Sequence, residues 1–195
     1  MGSIQSLSTF LGVTMSNQVK QEPVLVTETG IHVYGCADHF KFILPATDGT
    51  TGVQWITRLE SKGFPVGDYA KSVLRSPDFI PTIGVINEVA VLKGAFFEDD
   101  EERITENIRN EAVKRTWVTP NPEMACIIRE MFRNYEIKKL GLTWIITMHE
   151  PIKNSGDAPS LLGVYSPDNK QWLYTFCGRP GIRWLCGGGF AFAVS

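Results

Sequence analysis

The sequence predicts an α+β fold in which helices pack on a small antiparallel sheet. Three observations point to it. Apolar residues recur at helical spacing over 52–61, 66–74, the stretch that follows the acidic run at 99–102, and 121–139. Short β-branched and aromatic runs, bounded by glycine and proline, mark strands. Three of those runs, 161–165, 171–176 and 190–194, are gathered at the end of the chain, after the helices.

The elements can be justified in order. Residues 1–29 predict an N-terminal helix and a linker: Ile4, Leu7, Phe10 and Leu11 recur at helical spacing, and a polar stretch with Pro23 follows. Residues 31–36 and 40–44 predict two strands joined by a turn at 37–39. The turn residues Thr47-Asp48-Gly49-Thr50 lead into a helix over 52–61, with Val53, Ile56 and Leu59 on one face. Gly63 closes it as a C′ glycine. A second helix over 66–74 stops at Ser76-Pro77. Residues 84–92 predict a strand. Asp99, Asp100, Glu101 and Glu102 supply acid for the first turn of a helix that runs to about 117, with Ile104, Ile108, Ala112 and Arg115 at heptad-like spacing. Asn121 is an N-cap and Pro122 the N1 residue of a helix over 121–139. Residues 142–148, Leu-Thr-Trp-Ile-Ile-Thr-Met, predict a buried strand. The 195 residues predict one domain: a scaffold over 30–120 and a C-terminal region over 121–195.

Composition excludes several classes of function. A net charge of −2 offers no clustered basic surface for nucleic acid. No apolar run is long enough to span a bilayer, and the start has no basic n-region, so the expectation is a cytoplasmic protein without membrane contact. The cysteines, at 36, 126, 177 and 186, show no CxxC spacing, so no zinc site is expected. Cys126 lies among apolar helix residues and fits the core.

Four constellations carry chemistry on paper. His149-Glu150 could pair a base with a carboxylate in a small hydrolase-type enzyme, yet neighbours on a strand point to opposite faces. Cys36 and His39 could form a thiol–imidazole pair, but the sequence supplies no third, orienting group, and an Asx-turn accounts for Asp38. The acidic run at 99–102 lacks the alternating ligand positions of a calcium loop. Gly187-Gly188-Gly189 lacks the Lys-Ser/Thr of a phosphate loop. No catalytic residue, metal or cofactor is therefore expected.

The C-terminal segment is different. From Trp172 to Ser195 there is no Asp, Glu, Lys, Gln or Met. Trp172, Pro180, Arg183, Trp184 and residues 189–192 read as a frame. Between them stand Tyr174, Phe176, Cys177, Gly178, Arg179, Gly181, Ile182, Leu185, Cys186, Gly187 and Gly188. Aromatic and apolar side chains on glycine-rich loops are the material of binding surfaces. Tyr, Phe, Cys, Gly, Ile and Leu are all types that codons ending in a pyrimidine encode, the outcome expected when adenines of Asn-type codons are randomised. A hairpin that merely packs a sheet edge would use the same residue types.

Residues 161–165, 171–173, Arg183-Trp184 and 189–192 resemble the variable proteins of diversity-generating retroelements. The resemblance covers about the last 55 residues. It implies a C-type-lectin-like C-terminal part whose loops bind a macromolecular ligand, usually a protein. The candidate contact residues are Tyr165, Ser166, Asp168 and Asn169 with the eleven named above. A structural or virion component is a further alternative.

Overall fold

The computed structural model describes residues 22–165 and 170–195. The N-terminal helix expected before Val13, and the candidate contacts Ser166, Asp168 and Asn169, lie outside them.

The chain forms an α+β structure around one mixed sheet of ten strands. The first strands are β1 (Leu25–Val26), β2 (His32–Gly35), β3 (His39–Ile43) and β4 (Glu88–Lys93). Then come β5 (Trp117–Val118), β6 (Trp144–Thr147), β7 (Ile152–Lys153), β8 (Pro159–Tyr165), β9 (Trp172–Cys177) and β10 (Gly188–Val194). The spatial order is β1-β2-β3-β4-β10-β6-β8-β9; β7 pairs with the start of β8, and β5 pairs with the end of β10. Strands β6 and β10 run parallel, and the other strand pairs among the described residues are antiparallel.

The expected small antiparallel sheet is thus corrected. Periodicity identifies strands but not their partners, and β10 pairs with β4 about a hundred positions earlier: Phe190 lies opposite Leu92 and Ala191 opposite Val91. Residues of 30–120 and of 121–195 share this sheet.

Strand alternation divides the core in two. Val89, Val91, Ile145, Val164 and Ala191 face α1 (Gly52–Ser61), α2 (Asp68–Leu74), α4 (Glu123–Met131) and α5 (Asn134–Lys139). Ala90, Leu92, Ile146, Phe190 and Phe192 face α3 (Thr105–Lys114) and the loop 178–187. Each fully buried large side chain contributes about 2 kcal/mol.

Local chemistry explains most boundaries. Helix α1 begins with a capping box between Thr51 and Gln54. It ends where Gly63, at φ +79°, lets Phe64 N donate to Leu59 O.

Two helix expectations are corrected. The segment 121–139 is two helices, because Phe132 is extended (φ −116°, ψ 130°) and sends its ring into the core 4.8 Å from Phe42. Buried Arg129 spans the break, donating to Phe132 O and Asn134 Oδ1. Helix α3 starts at Thr105, not at the acidic run. Arg103 is drawn into the core, which holds 99–104 out of helical conformation, and Asp99 Oδ1 instead accepts from Glu101 N within a turn.

Candidate functional site

Strands β8 and β9 build an aromatic shelf. Tyr165 lies opposite Trp172, Gly163 opposite Tyr174 and Leu161 opposite Phe176. Alternation therefore turns Tyr165, Trp172, Tyr174 and Phe176 to one face. The rings touch in sequence: Trp172–Tyr174 at 6.5 Å, Tyr174–Phe176 at 6.2 Å and Tyr165–Phe176 at 6.0 Å between centroids. Gly163 makes this possible, because a Cβ there would stand 3.0 Å from the Phe176 ring and 2.7 Å from Ile145 O. Inward the row continues through Phe176–Trp144 at 5.9 Å to Trp144–Trp184 at 5.7 Å. The Phe176 ring thus rests on buried indoles, which fixes its orientation, and the other rings pack on it in turn.

The loop 178–187 lies beside this shelf and is fastened along its length. Trp184 is buried, and its Nε1 donates to Thr105 Oγ1 at 3.0 Å. The free amides at the start of α3 find partners in the loop: Thr105 N donates to Ile182 O and Glu106 N to Pro180 O, both at 3.1 Å. Buried Arg103 is the clasp. Its guanidinium donates to Gly94 O at 2.7 Å, Phe97 O at 2.5 Å and Trp184 O at 3.3 Å, and pairs with Asp100 at 2.6 Å. Gly94 lets the loop close in, since a Cβ would meet Cys186 O at 2.8 Å.

The candidate contact residues separate accordingly. Tyr174 is 41% exposed and Leu185 77%. Arg179, Gly181 and Cys186 are also exposed, while Tyr165, Phe176, Cys177, Ile182 and Gly187 are half-buried. Two are corrected. Gly178 is buried against Pro151, and Gly188 is the first residue of β10, covered by the Trp144 ring; neither offers a contact surface. Tyr174, Phe176 and Cys177 stand on β9 rather than in a loop.

Trp172, a frame residue in the sequence, is half-buried and stands in this same row. The period-two pattern Trp172-x-Tyr174-x-Phe176 was the available signal. An open groove of about 670 Å³ continues from the shelf to the start of α2, lined by Glu60, Pro65, Tyr69, Lys71, Trp172 and Tyr174 among others.

The other constellations also resolve. His149 is fully buried, and both ring nitrogens are engaged: Nε2 accepts from Leu162 N at 2.9 Å and Nδ1 donates to Glu150 O at 2.6 Å. Burial pushes its pKa down to about 4. The Glu150 carboxylate is 81% exposed and 3.9 Å from Arg109. The two side chains do not converge on a common point.

Cys36, Asp38 and His39 do converge, and α3 supplies the partner that the local sequence lacks. Cys36 Sγ is 2.8 Å from Asp38 Oδ1 and 3.2 Å from His39 Nδ1, and Nδ1 is 2.9 Å from the same Oδ1. Arg115 Nη1 lies 2.8 Å from Asp38 Oδ2. Burial acts to raise the Asp38 pKa, but hydrogen bonds from Cys36, Arg115 and His39 outweigh it and hold the carboxyl well below the usual range.

Comparison with protein-family models, with curated proteins and with solved structures finds no match. Among the described residues no helix is long and apolar enough to cross a membrane.

Proposed function

We propose that the protein binds a macromolecular partner, a folded protein, through the β8–β9 shelf and the loop 178–187. The observation that carries this reading is the half-exposed row Tyr165, Trp172, Tyr174 and Phe176, whose rings pack on one another and which is braced through Phe176 by buried Trp144 and Trp184. Rigid aromatic side chains lose little entropy on contact and bury much area, which makes them anchors. On the adjoining loop, exposed Leu185 and Arg179 offer an apolar and a planar cationic side chain. The groove beside it is open, and small substrates favour enclosed pockets.

The loop belongs to this reading as a diversified surface on a C-type-lectin-like support, as in the variable proteins of diversity-generating retroelements. Support comes from the separation of roles along it. Exposed Arg179, Gly181, Leu185 and Cys186 alternate with buried Gly178, Trp184 and Gly188, so the outer positions can change without disturbing the inner ones. The test is to sequence the 3′ end of the gene in sibling isolates. Differences concentrated at 174, 179, 181, 182, 185 and 186, with 178, 184 and 188 constant, support diversification. A tail as constant as the rest of the chain refutes it.

A further inference from the structure

We propose that Cys36, Asp38 and His39 form a binding site for a borderline-soft divalent cation of the zinc class, with a coordination position left open to solvent.

The argument begins with the turn. A thiol, a carboxylate and an imidazole stand within four residues of chain at the tip of the β2–β3 hairpin, and their ligand atoms lie 2.8, 2.9 and 3.2 Å apart. Sulfur, nitrogen and oxygen donors in this combination suit zinc and its neighbours. Bonds of about 2.0–2.3 Å in a tetrahedron put ligand atoms roughly 3.3–3.6 Å apart. An ion therefore needs the edges of the triangle to widen by about 0.4–0.7 Å, most of it between sulfur and carboxylate, which a rotation of exposed Cys36 can provide. The backbone beneath is fixed, because Cys36 N donates to His39 O and Lys93 N to Asp38 O, each at 2.9 Å.

The surroundings are those of an outer shell. Arg115 Nη1 donates to Asp38 Oδ2 at 2.8 Å and lies 3.3 Å from His39 Nδ1, so the guanidinium must draw back from the imidazole as an ion enters while still holding Oδ2, with Oδ1 turned toward the sulfur and the imidazole. The positive charge of Arg115 is itself met by Glu111, whose Oε1 accepts from Arg115 Nε at 2.8 Å. The His39 ring packs 5.4 Å from Trp117, which fixes its plane. A thiolate and a carboxylate would neutralise a divalent ion, and exposure of Cys36 leaves room for water.

The same geometry disfavours a nucleophilic thiol. In a Cys–His–Asp triad the carboxylate orients the imidazole from one nitrogen while the nucleophile uses the other. Here Asp38 and Cys36 both approach Nδ1. Convergence on one point is what ligands do.

The experiment uses the full chain, freed of metal with a chelator. Zn²⁺ is titrated by calorimetry and Co²⁺ by absorption, in the wild type and in Cys36→Ser, His39→Gln and Cys186→Ser. One equivalent of Zn²⁺ and a thiolate-to-cobalt charge-transfer band are expected in the wild type and in Cys186→Ser. Cys36→Ser should abolish the band. Both Cys36→Ser and His39→Gln should weaken Zn²⁺ binding by more than the ~10–100-fold that follows loss of an outer-shell partner. Absence of stoichiometric uptake by the wild type overturns the proposal. So does a cobalt band that survives Cys36→Ser.

Discussion

The imidazole of His149 stands in for a backbone carbonyl toward Leu162. Strand β6 leaves β8 after Ile146 pairs with Gly163, and β7 rejoins it where Ile152 pairs with Ser160. In the gap, Leu162 N donates to His149 Nε2 at 2.9 Å. Only the neutral tautomer with its proton on Nδ1 can do this.

That bond sets a pH dependence. The pKa of His149 is about 4 in the folded protein against 6.5 ordinarily, so below pH 6.5 the unfolded chain binds a proton that the folded one refuses. This contribution is complete above pH 6.5 and is lost as the pH falls through about 4. The loss is about 2 kcal/mol at pH 5, from 1.36 kcal/mol per pKa unit. Urea unfolding at pH 7.5 and pH 5 should reveal it. His149→Gln should be less stable at pH 7.5 yet lack this part of the slope; an unchanged slope refutes the assignment.

The ring row and its support should respond differently to truncation. Trp184→Ala empties a buried site and removes the bond to Thr105, costing about 3–5 kcal/mol. Tyr174→Ala, at an exposed position, should cost under about 1 kcal/mol while weakening partner binding. Denaturant midpoints compare the two. A large destabilisation by Tyr174→Ala would make that ring core rather than contact surface.

Arg103→Met leaves the carbonyls of Gly94, Phe97 and Trp184 without their donor, at a cost of about 3 kcal/mol. The loop should loosen before the whole molecule does. Limited trypsin digestion, followed by mass spectrometry, should show faster cleavage after Arg183 in the variant. Equal rates would mean that the clasp does not hold the loop.

Two glycines in the same segment predict opposite outcomes. A Cβ at Gly188 would fall 1.7 Å from the Trp144 ring, whereas nothing lies within 4 Å of one at Gly181. Gly188→Ala should cost about 3 kcal/mol or prevent folding, while Gly181→Ala should change the melting temperature by no more than a degree or so. A tolerated Gly188→Ala would contradict the packing of Trp144.

Sequence reading succeeded where the cause was local. The bounds of α1 follow from apolar spacing and from Gly63, and β2, β3, β8 and β9 from short β-branched or aromatic runs. It failed where the cause lay far along the chain. Arg103 delays the start of α3 because its partners include Trp184, 81 positions away. Arg115 completes the turn at Asp38 from 77 positions away. Gly178 and Gly188 read as flexible loop because no periodicity reveals that a side chain from elsewhere occupies their missing Cβ. Of the candidate site, the residue types were legible and the exposure of each was not.

The central place of β10 also imposes an order on synthesis. Residues 188–194 join β4 to β6, yet among the strands described they are the last to be made. Until they emerge, the nascent chain holds two half-sheets, each with an unpaired inner edge and part of its aromatic core uncovered. Such edges recruit other chains. Chaperone dependence should therefore be greatest just before residue 188 leaves the ribosome, and a ribosome stalled there should carry a chain far more sensitive to protease than one stalled after β10 has been released.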